Sequence, residues 1–497
     1  MSRKQNGATI PLHQGYTRTQ LRPCEPKKTD SARELSELVM VKYKSEKNEV
    51  PVTLANGSTV PLVSMLNVVD GENNDYDPFA NRSVPHPTSD LDTLIHLLKG
   101  SLGSGILAMP LAFKNAGLAF GLIATCLIGL ICTYCVHILV KCSHKLCKRT
   151  QVPSLGFAEV AETAFLAGPE SLHKYSRLAK FMINAFLVID LLGCCCVYIV
   201  FVSTNLREFL GPYLDGPNFD LRLYMLALLP LLIPCNLIRN LKYLAPFSMV
   251  ANILMGAGIS ITFYYILTDI PPIDSVAPIA EPQHWPMFFG TVIFALEGIG
   301  VVLPLENNMK TPNHFIGCPG VLNFGMFIVV LLYSATGFFG YLKYGDLTQG
   351  SITINLPQDT LAGMVKLMIA VAIFFTYSLQ FHVPMEIIWK NAKHNFSTKN
   401  EIFGEYGIRI VLVLMTVGIA IAIPNLGPFI SLVGAVCLSN LGLIFPAIIE
   451  TVTYWDHPGM GKFSWRLWKN IFLFTFGIIG FVTGTYVSFK EILEMYQ

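Results

Sequence analysis

The stretch HLLKGSLGSGILAMP, from His96 to Pro110, lies in the first long apolar segment of the chain, yet it lacks the composition of an uninterrupted membrane helix. Small residues crowd its centre, namely Gly100, Ser101, Gly103, Ser104 and Gly105. Each glycine costs a helix roughly 1 kcal/mol relative to alanine, and irregular backbone at membrane depth is tolerated only where it is buried in protein or lines a cavity. The stretch therefore predicts a discontinuous helix whose unwound centre holds a substrate. A glycine-lined face for close helix packing is the alternative interpretation.

The composition is that of a protein with many membrane spans. Apolar residues make up 52% of the 497 residues and charged residues only 14%, whereas soluble domains carry roughly 25% charged residues. The apolar residues fall in runs that reach the length of about 20 residues needed to cross a bilayer. The net charge of +2 and the lack of a basic cluster with interleaved aromatic residues give no indication of a nucleic-acid partner. The twelve cysteines form no CxxC pair with a matching partner, so no metal site is expected.

The chain divides into two parts. Residues 1–88 are polar with mixed charges, which predicts a disordered tail. Residues 89–497 form the predicted transmembrane transporter domain, and Ser89 followed by Asp92 matches a capping box at its first helix. We predict eleven membrane helices, at about 91–111, 116–140, 178–207, 222–239, 243–268, 286–308, 317–342, 361–389, 408–424, 427–450 and 468–490.

Lysine and arginine residues near the helix ends predict the orientation in the membrane. The connections at 141–180 and 390–409 are rich in basic residues, whereas the 269–286 connection carries acidic residues and no lysine or arginine. With eleven spans, the basic connections all fall on one side. The N-terminal tail is therefore predicted to be cytosolic, and the C-terminus to face the outside or a lumen.

A second interrupted segment, MFFGTVIFALEGIGVVLPLENNMK, runs from Met287 to Lys310 and forms the sixth predicted helix. Gly298 and Gly300 interrupt it, and Glu297 sits beside the break. Because five is an odd number, a first group of five helices and a second group that begins at the sixth would have opposite orientations. Paired interrupted segments in two inverted halves mark the substrate site of secondary transporters. We therefore predict a 5+5 inverted repeat, with the eleventh helix as an addition.

The two breaks together predict a site for an α-amino acid. The N–H groups that begin the outer half of the first helix suit a carboxylate, and the carbonyl groups that end the first half of the sixth helix suit an ammonium group. Glycine at the breaks lets the backbone approach a ligand closely. The predicted substrate-binding residues are Ser101, Leu102, Gly103, Ser104, Gly105, Ala295, Leu296 and Gly298.

Three ionisable residues near the breaks are candidates for ion coupling. A charge at the centre of a membrane helix costs roughly 3 kcal/mol on insertion, so Lys99 is predicted to form an ion pair with Glu297. His96 precedes Lys99 by one turn, and the spacing places both on one helical face with Gly103. Histidine changes charge near neutral pH, which makes His96 the predicted proton coupler and Glu297 the competing carrier. A neutral His96 that only bonds a neighbouring helix is the alternative.

Four segments resemble the proton-assisted amino acid transporters of the amino acid/auxin permease group. They are HLLKGSLGSGILAMPLAFKNAG (His96–Gly117), EGIGVVLPLEN (Glu297–Asn307), GSITINLP (Gly350–Pro357) and FFTYSLQFHVPMEII (Phe374–Ile388). The resemblance runs in order from about Tyr76 to the last helix. It implies an all-α, eleven-helix LeuT/APC-type fold and symport of protons with small neutral amino acids such as glycine, alanine and proline. Members work at the plasma membrane and at lysosomes, where some feed growth signalling, so signalling partners of the tail are also implied.

The resemblance also bears on single residues. The family's first-helix histidine, considered important for proton coupling, falls on His96, and no cofactor is implied besides the coupling proton. Gln358 follows Pro357 where vertebrate-type members carry a cysteine that pairs with another outer loop. Surface trafficking and substrate profile are therefore not carried over from the family.

Two other functions are alternatives to proton symport. A sodium-coupled transporter would take oxygen ligands from Thr376 or Ser378 and from carbonyl groups near Leu102. A nutrient sensor would bind an amino acid with little flux and signal through its tail. An enzyme is not expected, because the chain carries no HExxH or GxSxG motif and no paired catalytic aspartates at helical spacing.

Overall fold

The computed structural model describes residues 51–53, 59–61, 76–101, 103–213, 219–239, 245–296, 298–397, 400–455 and 459–496. Two predicted site residues, Leu102 and Glu297, lie outside the described residues, as does most of the N-terminal tail. Within the tail, a short antiparallel hairpin pairs β1 (Pro51–Thr53) with β2 (Thr59–Pro61).

The rest of the described chain is built from helices. In chain order, the α-helices of eight or more residues are α1 Asp90–Ser101, α2 Gly105–Ala116, α3 Leu118–Thr150, α4 Phe157–Ala167, α5 Ser176–Leu210, α6 Leu221–Asn236, α7 Ala245–Leu267, α8 Trp285–Ala295, α9 Ile299–Asn307, α10 Val321–Tyr344, α11 Thr360–Ala392, α12 Glu401–Ala422, α13 Leu426–Val433, α14 Phe445–Thr453 and α15 Trp465–Glu494. A single α-helical turn, Ile352–Asn355, lies between α10 and α11, and 3-10 turns occupy several connections. Two π-helical stretches, Gly434–Leu438 and Asn440–Ile444, join α13 to α14 in one long helical segment.

Nine helical segments of the described residues are long and apolar enough to cross a membrane. The segment that contains α8 and α9 counts as one of them, and so does the helical segment from α13 to α14. A tenth span results if α1 and α2, which meet at a bend of 54°, are taken together. Helix α6 is shorter, with 16 residues that include Pro230 and Pro234. Apart from the short hairpin, the described chain is therefore that of a helical, multi-pass membrane protein.

The local sequence explains where these helices form and begin. Because a bilayer offers no water to pair with the backbone, apolar runs such as WPMFFGTVIFA in α8 bond their own N–H and C=O groups as helices. At α1 the predicted capping box is confirmed, since Ser89 Oγ accepts a hydrogen bond from Asp92 N at 3.2 Å and Asp92 Oδ2 accepts one from Ser89 N at 3.2 Å. At α11, Asp359 Oδ1 accepts a hydrogen bond from Ala362 N at 2.7 Å. Side-chain oxygens thus satisfy N–H groups that the first turns leave unpaired.

Helix α2 lies at the centre of the fold and packs against α8 and α10. Nine of its twelve residues are buried. Small residues permit this close packing, because a β-carbon on Gly340 of α10 would lie 2.5 Å from Pro110 Cγ. Gly105, at the start of α2, approaches Ala295 of α8 in the same way. The packing interpretation of the glycines therefore holds for Gly105, although the helix is also interrupted beside it.

The chain before α1 packs onto the end of α9. Arg82 Nη1 lies 2.9 Å from Glu306 Oε1, in a pair whose side chains are 5% and 0% exposed. His144 Nε2, from α3, lies 2.8 Å from the same oxygen. Thr88 N donates to Asn308 O at 2.9 Å. Residues 76–88, which the sequence assigned to the tail, thus contact two helices of the transporter domain.

Candidate substrate site at two helix breaks

The first break separates α1 from α2. Helix α1 ends at Ser101 and α2 begins at Gly105, so Gly103 and Ser104 lie between the two helices. The carbonyl oxygen of Ser101, which no longer has a helical partner, accepts hydrogen bonds from Gly103 N at 3.0 Å and from Tyr333 Oη of α10. The predicted interruption is present at the predicted residues, but Gly103 lies beyond the end of α1 and is not on its helical face with His96 and Lys99.

The second break separates α8 from α9. Leu296 N still donates to Val292 O at 2.9 Å, and α9 then begins at Ile299 with Val301 N bonded to Gly298 O at 3.1 Å. The backbone of Gly298 is extended, with φ of 170°, a conformation that any residue adopts. The backbone conformation at position 298 therefore does not require a glycine. What matters at this position is the space that the missing side chain leaves.

The two breaks touch each other. A β-carbon on Gly105 would lie 2.6 Å from Cα of Ala295 and 3.1 Å from its Cβ. A β-carbon on Gly298 would lie 3.4 Å from Ser101 Oγ. The structure thus brings Ser101, Gly105, Ala295 and Gly298 together, with the start of α2 beside the end of α8. The positive end of one helix dipole meets the negative end of the other at this point.

A small cavity of about 30 Å³ adjoins the breaks. Ser101, Leu296 and Gly298 contribute to its wall, and most of the remaining lining is apolar, with Leu97, Val136, Ile293, Val302, Met326 and Leu438. Ser101 is 4% exposed, and its hydroxyl oxygen has no hydrogen-bond partner among the described residues. The cavity is large enough for water but not for an amino acid.

The remaining predicted substrate-binding residues lie around the same point. Ser104 is 3% exposed and Leu296 is 7% exposed, so both are enclosed by neighbouring helices. A β-carbon on Gly103 would lie 3.9 Å from the hydroxyl oxygen of Tyr198 in α5. Gly103 therefore faces a polar group of α5.

His96 and Lys99, two of the three ionisable residues predicted to act near the breaks, lie on the exposed side of α1. Thr93, Leu97 and Ser101 form the buried stripe of this helix, whereas His96 and Lys99 are exposed. Lys99 Nζ donates a hydrogen bond to Ser248 Oγ of α7 at 2.6 Å. Because the hydroxyl is neutral, this bond satisfies the ammonium group without neutralising its charge. Glu297 is outside the described residues, so the ion pair between Lys99 and Glu297 stays a prediction.

Two contacts of the site were missed by sequence reasoning. Tyr333 is fully buried in α10 and bonds the backbone at the first break, and Ser248 bonds Lys99. A tyrosine and a serine inside apolar runs were the available signals, but neither indicates which helix the side chain faces. Only the tertiary contacts that α10 and α7 make with α1 assign these roles.

The fold and the site can be compared with known proteins. A relative from Drosophila melanogaster, the "Proton-coupled amino acid transporter-like protein pathetic", is 47% identical over 428 residues, which are 85% of this chain and 89% of the relative. A relative from Caenorhabditis elegans, the "Probable amino acid transporter skat-1", is 25% identical over 414 residues, which are 81% of this chain and 90% of the relative.

Solved structures of a nucleobase-cation-symport-1 family transporter, Mhp1, are also similar. The closed, bromovinylhydantoin-bound structure has a TM-score of 0.47 at 15% identity and covers 83% of this chain and 92% of its own. The inward-facing structure has a TM-score of 0.46 at 11% identity, with 84% and 92% covered.

The chain also matches a whole family. The family described as "Transmembrane amino acid transporter protein" matches residues 86–490, which include every helix from α1 to α14 and most of α15. The expectation of a transporter rather than an enzyme is thereby confirmed. The chain belongs to the family of transmembrane amino acid transporter proteins.

Proposed function

We propose that this chain is a proton-coupled symporter that carries small neutral amino acids, such as glycine, alanine and proline, by alternating access. The observation that carries the proposal is the contact of the two helix breaks at Gly105 and Ala295. A helix N-terminus attracts a carboxylate and a helix C-terminus attracts a cation. The start of α2 and the end of α8 therefore match the two charges of an amino acid. The name of the Drosophila relative, which includes proton coupling, supports the coupling ion.

The proposed architecture has eleven spans and a 5+5 inverted repeat. At 1.5 Å per residue, α6 extends over about 24 Å, and with its flanking residues it reaches across a hydrocarbon core of about 30 Å. Added to the ten spans that count α1 and α2 as one, it gives the predicted number. The breaks then fall in the first and sixth spans, the N-terminus is cytosolic and the C-terminus lies on the opposite side. Protease protection of tags at both ends tests this arrangement.

In this proposal the backbone holds both charges of the substrate. The amino acid carboxylate accepts hydrogen bonds from N–H groups in the Ser101–Gly105 segment, and the Ser101 hydroxyl, buried and without a described partner, is positioned to add one more. The ammonium group donates to carbonyl oxygens of the Ala295–Gly298 segment. A site made of main chain and small side chains leaves little room, which favours small substrates.

Alternating access follows from the enclosed geometry. An amino acid does not fit in the cavity of about 30 Å³ that adjoins the breaks, so binding and release require α1 and α9 to separate from their neighbours. Both are short half-helices of 12 and 9 residues. Short segments joined by irregular backbone move with less disruption than full spans, because the break already interrupts their hydrogen-bond ladder.

Proton coupling is assigned to His96. Its side chain is exposed on the same side of α1 as Lys99, whose bond to Ser248 connects this helix to α7. A change of charge at His96 alters the interaction of α1 with its surroundings, and thereby links protonation to the position of the half-helix. Glu297 is the second candidate, as carrier or as partner of Lys99.

The decisive experiment is electrogenic uptake of a panel of amino acids by the full-length protein in proteoliposomes at about pH 5.5 and about pH 7.5, which bracket the titration of an ordinary histidine. Inward current that grows at the lower pH and does not change when sodium is replaced would support proton symport. Dependence on sodium would favour the sodium-coupled alternative. Tight amino acid binding with negligible flux would favour a sensor that signals through its tail.

The membrane in which the protein works is also a proposal. We assign it to the plasma membrane, the lysosomal or endosomal membrane, or both, with growth-signalling partners recruited by the N-terminal tail. Imaging of the tagged full-length protein together with markers of each membrane tests the assignment.

A further inference from the structure

We propose that the cavity beside the two helix breaks holds the side chain of the transported amino acid, and that Gly442 and Met326 set the largest side chain it accepts. This inference rests on the proposed amino acid transport and specifies its substrates further. We call the cavity the side-chain pocket and define it by six of its lining residues: Leu97, Ser101, Gly298, Val302, Met326 and Gly442.

The side-chain pocket begins at the breaks and extends along the two inner half-helices. Ser101 and Gly298, which belong to the two breaks, line it at one end. Leu97 precedes Ser101 by four residues in α1, and Val302 follows Gly298 by four residues on the side of α9. Each of these walls therefore continues for about 6 Å away from the breaks. A substrate whose charged groups lie at the breaks thus has room to place a short side chain between the walls.

The walls of the side-chain pocket are apolar and buried. Leu97 and Val302 are each 1% exposed, and Met326 of α10 is 6% exposed. Among the described residues, the lining includes no charged side chain. Because a polar or charged group that is buried without a partner is costly, the pocket favours an apolar side chain. The Ser101 hydroxyl lies at the end of the pocket where the substrate's own backbone is proposed to bind.

The volume of the side-chain pocket limits the side chain it can hold. A water molecule, which is close in size to a methyl group, needs roughly 10–15 Å³, and the pocket has about 30 Å³. It therefore holds about two carbon atoms beyond the α-carbon. Alanine and 2-aminobutyrate fit on this basis, glycine leaves the pocket empty, and the branched side chain of leucine does not fit.

Gly442 keeps one wall of the side-chain pocket open. It lies in the π-helical stretch Asn440–Ile444, four residues after Leu438, which also lines the pocket. Helical residues four apart share a face, so a side chain at position 442 would point toward the pocket as Leu438 does. A β-carbon on Gly442 would meet no described atom within 4 Å. A methyl group at this position therefore fills part of the pocket without displacing a neighbour.

Met326 bounds the side-chain pocket on the side of α10. Truncation of a buried side chain leaves a cavity, because the surrounding structure relaxes only partly. Met326→Ala therefore enlarges the pocket, whereas Gly442→Ala makes it smaller. Two opposite changes of volume lead to opposite expectations for substrate size.

The test measures uptake of glycine, 2-aminobutyrate and leucine by the full-length protein in proteoliposomes. For each variant, Vmax/KM is expressed relative to glycine in the same preparation, which cancels differences in the amount of folded protein. We expect Gly442→Ala to lower the ratio of 2-aminobutyrate to glycine about tenfold, since one carbon in an apolar pocket has an effect of this size. We expect Met326→Ala to raise the ratio of leucine to glycine about tenfold.

Two matched variants make the same chemical changes away from the side-chain pocket. Gly418→Ala in α12 adds a β-carbon that meets no atom of the described chain within 4 Å, and Met225→Ala in α6 truncates a methionine that is 0% exposed. Both should keep the wild-type ratios, because neither residue lines the pocket.

The wild type gives a further measurement that needs no variant, since its Vmax/KM should be at least about tenfold lower for leucine than for 2-aminobutyrate. Equal values for these two substrates, wild-type ratios in either pocket variant, or the same change in a pocket variant and its control would overturn the pocket and leave the proposed transport intact. No uptake of any amino acid by the wild type would overturn the proposed function, and the pocket with it.

Discussion

A β-carbon on Gly105 would lie 2.6 Å from the Cα atom of Ala295, so α2 and α8 meet backbone to backbone where each is interrupted. A side chain at this point must displace main chain, which cannot rotate away as a flexible side chain would. The contact therefore fixes the relative position of the two helix ends on which the proposed amino acid site depends.

Gly105→Ala is expected to abolish uptake and to destabilise the protein by about 1–3 kcal/mol, because the added methyl group overpacks a backbone contact. Uptake of radiolabelled alanine and thermal unfolding measure the two effects. Gly256→Ala in α7 is the control, since nothing lies within 4 Å of a β-carbon at that position. Uptake by Gly105→Ala at the wild-type rate would contradict the proposed role of the contact.

His96→Ala is expected to remove acid stimulation of uptake and the substrate-driven current, while amino acid binding persists. The reason is that alanine leaves α1 without a group that changes charge near neutral pH. Current and uptake between about pH 5.5 and about pH 8 measure the coupling, since this range brackets the titration of histidine. If acid stimulation survives in His96→Ala and disappears in Glu297→Gln, the coupling role belongs to Glu297.

Lys99→Met is expected to reduce transport more than Lys99→Met combined with Glu297→Gln. If the two residues pair, the single change leaves a carboxylate without its partner inside the membrane. Uptake by both single variants and the double variant gives the interaction energy. Ser248→Ala serves as the comparison, because it removes the hydroxyl that Lys99 bonds at 2.6 Å but no charge. Strictly additive losses would argue against the ion pair.

Arg82→Gln is expected to lower stability by about 3 kcal/mol, because it removes the arginine that pairs with the buried carboxylate of Glu306 and leaves only the His144 imidazole beside it. The double change Arg82→Met/Glu306→Leu should cost less, since no unpaired charge remains. Denaturation in detergent measures both. The exposed pair of Lys393 and Glu401, at 3.3 Å, provides the control, and Lys393→Gln should cost less than about 1 kcal/mol. Equal losses at the two sites would show that burial of the Arg82 pair has no effect.

Asp359→Ala is expected to lower stability at neutral pH by removing the cap of α11. Bonds from Ala362 N and from the Tyr265 hydroxyl hold the pKa of the Asp359 carboxyl below its ordinary value of 3.8. A lowered folded-state pKa stabilises the protein above the unfolded-state value, and this contribution is lost only as the pH falls through the folded-state pKa. Thermal unfolding should therefore show a constant difference between wild type and Asp359→Ala from about pH 5 to about pH 8. A difference that changes within this range would contradict the assignment.

Local sequence determined the helix breaks, the start of α1 and the membrane spans. The glycines around Ser101 and Gly298 predicted both breaks, because backbone freedom and lost helix propensity act within a few residues. The box of Ser89 and Asp92 predicted the start of α1 for the same reason. Apolar runs predicted membrane spans, since a bilayer imposes helical pairing on any such run.

Other features depend on which helices become neighbours, and no short stretch of sequence specifies that. Arg82 and Glu306 are separated by 224 residues, and Lys99 and Ser248 by 149. Lys145 of α3 and Arg466 of α15 likewise lie against one ring, that of Tyr454. The sequence alone thus determined the elements and the interruptions, because these follow from short-range backbone energetics. Only the tertiary structure decided the partners of Ser101, Lys99 and Glu306, because side-chain contacts between distant segments arise from packing of the complete fold.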